Sequence, residues 1–142
     1  MYDRRGPCLV RDCLRGMTRG RTKIASAALF AIGSLHVAWG LGASWPRIDR
    51  EPASPVACFA VAALLGVAAG LVAGRPRRAP QLSRLGARTV TGVLATRGAF
   101  GMAGRTDLLA SGASSAQFRT MDRRIYSPVC LTLAALSLPP HR

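Results

Sequence analysis

IASAALFAIGSLHVAWGLGASW, residues 24–45, carries no charged side chain over 22 positions. At about 1.5 Å of rise per residue, such a helix is long enough for the roughly 30 Å hydrocarbon core of a bilayer. Trp39 and Trp45 lie toward its distal end, where amphipathic indoles favour the headgroup level. Upstream, Arg4, Arg5, Arg11, Arg15, Arg19, Arg21 and Lys23 face only Asp3 and Asp12. Residues 1–23 show no periodicity that would bury a face, which suggests a disordered basic tail. A chain starting at Met17 would keep a basic flank and the whole first span. Residues 1–16 therefore read either as native tail or as an extension from an early start codon. A cleavable signal peptide is a further reading, with Leu41-Gly42-Ala43 as a small-residue cleavage site. The apolar run is long for that role, His36 and Trp39 interrupt it, and further apolar segments follow it.

Three such segments follow. Residues 55–74 are again free of charge, and Ala62, Gly66, Gly70 and Gly74 recur there at every fourth position. A stripe of that kind lets a second helix approach closely, within the chain or from another one; an Ala/Gly-rich span also produces such spacing by chance. Residues 85–104 form a third apolar stretch that contains Arg88 and Arg97. Arg88 is near enough to the basic end to snorkel, whereas Arg97 falls inside the hydrocarbon region. The linker after it ends in a helical pattern of Phe118, Met121 and Ile125, which suggests a short interfacial helix or a helical lead-in. The last apolar run, residues 125–138, is short and is stopped by Pro139 and Pro140. The expected fold is all-α: a polytopic membrane protein with four transmembrane helices in a small bundle over residues 24–138, the last helix short, and residues 139–142 as a C-terminal end.

Charge gives the expected orientation. The chain has 20 Lys plus Arg against 6 Asp plus Glu, a formal net charge of +14. In a soluble protein this balance would point to nucleic acid. Here the charges flank uncharged blocks instead of interleaving with them, so a lipid bilayer is the expected partner and nucleic acid is not. Basic residues concentrate before the first span and at Arg75, Arg77, Arg78 and Arg84, while the segment after Trp45 is neutral. The positive-inside rule then puts the N-terminus in the cytoplasm. Nineteen of the basic residues are arginine, which with abundant Ala and Gly suggests a GC-rich bacterial source and hence a multi-pass protein of the plasma membrane.

Few residues are out of place in lipid. His36 sits near the middle of the first span, as a proton relay or as a neutral imidazole bonded across a helix pair. Arg97 reads either as a contact for an anion, lipid headgroup or substrate, or as a structural group that snorkels or caps carbonyls. Asp122 would pair with an arginine or cap the last helix, and Tyr126 would mark an interface. No apolar span contains an acid, which argues against a carboxylate-based pump. Cys8 and Cys13 lack further ligands for zinc, and Cys58 and Cys130 lie in apolar runs as small hydrophobes. No nucleophile–base pair, phosphate loop or metal spacing emerges, so neither a cofactor nor a metal is expected, and the chain is not expected to be an enzyme.

Ser34-Leu35-His36-Val37-Ala38-Trp39-Gly40 followed by Trp45-Pro46, Arg97-Gly98-Ala99-Phe100, and Phe118 through Asp122 with Tyr126-Ser127-Pro128 stand in an order that resembles the DUF3995 family of small actinobacterial membrane proteins. The likeness covers roughly residues 24–138. It implies a four-helix integral membrane protein without an assigned activity, in which His36, Trp39, Arg97, Asp122, Tyr126 and Pro128 match recurring positions. The tail before Met17 and the early stop at Pro139 depart from that pattern. The functional expectation is a non-enzymatic component that packs against or regulates a membrane partner, as a homo-oligomer or with another membrane protein. The alternative is a small transporter or channel for an anionic or amphiphilic solute that uses Arg97 and His36.

Overall fold

The computed structural model describes residues 6–43, 54–105 and 116–138. Trp45 and the neutral segment after it, residues 106–115 and the C-terminal prolines lie outside the described residues. The described chain is all-α. Helix α1 runs Gly6–Gly40, α2 Pro55–Val72 and α3 Pro80–Met102. A last helical run comprises α4, Ala116–Met121, a π turn at Asp122–Tyr126, and α5, Ser127–Ser137. Helix α1 begins well upstream of Ile24, where composition suggested a disordered tail. Extending an anchored helix requires no new nucleus, and Arg, Leu and Met are good helix formers.

The helices form two antiparallel pairs, α1 with α2 and α3 with α5. Glycine permits the first pair its close approach. The position where Gly33 would carry a Cβ is 3.4 Å from the Ala62 carbonyl oxygen, and the equivalent at Gly40 is 3.0 Å from the Phe59 ring. Lower down, the Ser26 hydroxyl donates across the interface to the Ala69 carbonyl at 2.8 Å. The two pairs join through Ala25, Leu29, Ala69, Val72 and Leu133, which form one buried apolar cluster. Arg21 ties the bottom of α1 to the other pair by donating to the Ala135 carbonyl in the last turn of α5, where carbonyls lack intrahelical partners. Helices α2 and α3 end on Gly74 and Gly104, both with positive φ, and Arg75 N–H and Arg105 N–H close back onto the Gly70 and Phe100 carbonyls.

The expectation of four transmembrane helices is corrected by this structure. Two helical stretches among the described residues are long and apolar enough to cross a membrane: Gly16–Gly40 within α1, of mean hydropathy 1.2, and α2, of mean hydropathy 2.3. Helix α3 has the length, but Arg84, Arg88 and Arg97 together with Gln81, Ser83, Thr89, Thr91 and Thr96 remove the apolar character. Helix α5 has 11 residues, which rise only about 17 Å against the roughly 30 Å required. The polar lead-in at α4 and the π turn lengthens this helical run without making it apolar.

Burial divides the first pair sharply. Leu29 is 1% exposed, whereas its neighbour Phe30 is 65% exposed. Leu29→Ala is expected to cost about 2–5 kcal/mol through the lost burial and the cavity left behind. Phe30→Ala should leave the helical fold unchanged, and denaturant unfolding followed by circular dichroism separates the two.

Candidate functional site

The most constrained polar group among the described residues is Asp122, whose surface is 0% exposed. Its carboxylate meets the Arg97 guanidinium in a two-pronged contact: Nη2 donates to Oδ1 at 2.5 Å and Nη1 to Oδ2 at 3.1 Å. The planar fork of arginine matches both carboxylate oxygens at once, which the single ammonium of lysine does not. The Arg97 side chain remains 30% exposed. The pair is therefore asymmetric, with a sealed anion held by a cation that still reaches the surface.

Two local features of the sequence make this pairing possible. Pro128 lacks an N–H, so the Arg124 carbonyl, four positions earlier, loses its usual helical donor, and the proline ring crowds it. The chain responds by widening into the π turn, in which Ser127 N–H bonds to the Asp122 carbonyl five residues back. Residues five apart on a regular α-helix point about 140° away from one another. Across the widened turn, Asp122 and Ser127 are both buried and both face Gly101 of α3.

Gly101 is the second feature. A Cβ at that position would collide with Ser127 Oγ and stand 2.7 Å from Asp122 Oδ2 and 2.8 Å from Arg97 Nη1. Gly98, one turn earlier, is similarly close to Leu131 and the Ser127 carbonyl. The α3 backbone thus forms the floor under the ion pair. Ser127 Oγ is buried and has no hydrogen-bond partner among the described residues. Such a group costs about 1–3 kcal/mol relative to a satisfied one.

The other residues singled out from sequence are placed apart from this pair. His36 and Trp39 form their own contact on α1, with ring centroids 5.0 Å apart in an edge-on arrangement. The His36 Nδ1–H donates to the Ile32 carbonyl at 2.9 Å, since a carbonyl can only accept. Tyr126 lies on the exposed side of the π turn with its ring 6.4 Å from that of Phe118. Ala62 packs beneath Gly33, whereas Gly66, Gly70 and Gly74 have no atom within 4 Å of where a Cβ would stand. The small-residue stripe is thus used inside the chain at one position and left open at the other three. Cys58 and Cys130 are free thiols. Among the described residues, no three His, Cys, Asp or Glu side chains are grouped to hold a metal ion.

Sequence reasoning singled out Arg97 and Asp122 separately and missed Ser127 and the close approach at Gly101. The Pro128 that forces the wide turn was the available signal. Gly101→Ala is expected to lower stability by about 1–3 kcal/mol, because overpacking outweighs the better helix propensity of alanine. Gly66→Ala, in open space, should instead raise it by about 0.5–1 kcal/mol. Thermal melts of the two variants beside the parent protein check both signs. Ser127→Ala removes the hydroxyl that the methyl group added by Gly101→Ala would strike, so it should reduce the loss in the double variant.

A search of the curated proteins finds no match, and a search of the solved structures finds none either. The model of the family described as "Protein of unknown function (DUF3995)" matches residues 29–137, from the buried Leu29 of α1 through the end of α5. That span is well over half of the chain and contains His36, Arg97, Gly101, Asp122 and Ser127, and the chain belongs to the DUF3995 family.

Proposed function

We propose that the protein is a non-enzymatic membrane component whose α1–α2 hairpin inserts into a bacterial plasma membrane, where it packs against or regulates another constituent of that membrane. The observation that carries this reading is the direction of its apolar surface. Only 17% of the most apolar 18-residue window of either helix is buried. Phe30 on α1 and Val56, Leu64 and Val67 on α2 point outward, with Leu64 69% exposed near the middle of its helix. A core helix of a soluble protein buries such residues, and a surface helix carries polar ones in their place. In the orientation we favour, Lys23 and the Arg75–Arg84 segment lie at the cytoplasmic face, and the ends at Gly40 and Pro55 lie at the opposite one.

The polar groups support a packing role over a transport role. A solute pathway needs His36 and Arg97 available to the solute. Arg97 is forked onto Asp122, and His36 is bonded to a carbonyl of its own helix.

Alkaline carbonate extraction of membranes from cells that express the full chain tests the insertion. The parent protein and Leu64→Ala should remain in the membrane pellet. Leu64→Arg should move toward the soluble fraction, because arginine at the centre of a span costs about 2.5–3.5 kcal/mol. Release of the parent protein by carbonate would exclude an inserted hairpin.

A further inference from the structure

An open groove runs along the outer side of the α1–α2 hairpin. Phe30 and Gly66 line both its lower and its upper part, so the two parts adjoin at these residues. The lower part has a volume of about 450 Å³, within the range of roughly 300–1,000 Å³ typical of small-molecule sites. Its floor is kept low by Gly66 and Gly70, neither of which has a neighbour where a Cβ would stand. At its basic end the groove reaches Lys23 and Arg75, and Arg75 also borders an adjoining basin with Arg77 and Arg78. Two cations thus stand at one end of an apolar track, with two more in the basin that shares Arg75 and Gly70 with it.

No described side chain neutralises them. Among the residues whose side chains are described, Asp122 is the one carboxylate, and Arg97 occupies it. The groove therefore has the polarity of an amphiphile with an anionic head. A second copy of the chain fits it poorly, since two copies in one membrane share an orientation. Their cationic ends would then meet at the same depth and repel.

We propose that this groove holds one anionic diacyl lipid, its phosphate among Lys23, Arg75, Arg77 and Arg78 and one acyl chain along Phe30 and Gly66. The proposal rests on insertion of the α1–α2 hairpin. It adds a defined site to the general attraction between basic segments and anionic membranes.

Native mass spectrometry of the full chain, released from nanodiscs of mixed phosphatidylcholine and phosphatidylglycerol, reads this directly. One phosphatidylglycerol should remain bound per chain, in preference to phosphatidylcholine. Replacing Arg75, Arg77 and Arg78 with Gln should lower its retention about fivefold for each charge removed. Gly66→Leu fills the track without altering a charge, starting from a Cβ position that is open, and it should also release the lipid, with circular dichroism unchanged. Equal retention of the two lipids would overturn the site. Unchanged binding by Gly66→Leu would reduce it to surface attraction and overturn it as well, as would a lipid-free dimer crosslinked through this face. In each of these cases the parent chain can still resist carbonate extraction, so loss of the lipid site and loss of membrane insertion are told apart.

Discussion

Asp122 has no access to solvent, and the Arg97 fork is what makes that burial tolerable. A sealed carboxylate left alone in an apolar interior costs several kcal/mol, so the arginine must be in reach whenever the chain is folded. That requirement fixes the register between α3 and the last helical run. It demands glycine at 101, where any side chain would enter the space of the pair, and it depends on the wide turn that brings Asp122 and Ser127 to the same side. The ion pair is thus a geometric clamp on the second helix pair. Its net contribution to stability is smaller than its contact distances suggest, because both groups gave up water to form it.

The first helix pair obeys the opposite logic. Helices α1 and α2 carry their apolar side chains outward and approach each other through Gly33, Ala62 and Gly40, small residues that permit backbone proximity. Where a helix pair is held by close packing and by a cross-helix hydrogen bond such as that from Ser26 to Ala69, a bilayer is a suitable surrounding for the remaining surface. The molecule therefore joins a pair with external apolar surface to a pair whose buried carboxylate is neutralised by a partly exposed arginine. Leu29, Val72 and Leu133 are the seam between them.

The helices α1 and α2 were legible in the sequence because an uncharged run of about 20 residues has few alternative readings. The third and fourth apolar segments misled because short apolar stretches were weighed by their neighbours instead of by the whole helix. Arg84, Arg88, Arg97 and several hydroxyl or amide side chains dilute α3 below the level of a span. Arg97 stood out as a misplaced charge and Asp122 as a carboxylate that would pair with an arginine or cap the last helix, but which arginine it meets was not legible. They are 25 positions apart, and the register that joins them comes from a π turn set by the missing N–H of Pro128. The open half of the glycine stripe was equally hidden, since spacing alone does not say which face of a helix is covered.

The central claim is that Arg97 and Asp122 form one structural unit, and a double-mutant cycle measures it. Unfolding free energies are needed for Arg97→Ala, Asp122→Ala and the double variant, each against the parent. Arg97→Ala should cost about 3–5 kcal/mol, because it strands a fully buried carboxylate. Asp122→Ala should cost less, since the partly exposed guanidinium can turn toward the surface. The double variant should lose no more than Arg97→Ala alone. Strictly additive losses, or a harmless Arg97→Ala, would show that the two side chains do not act together and would contradict the account.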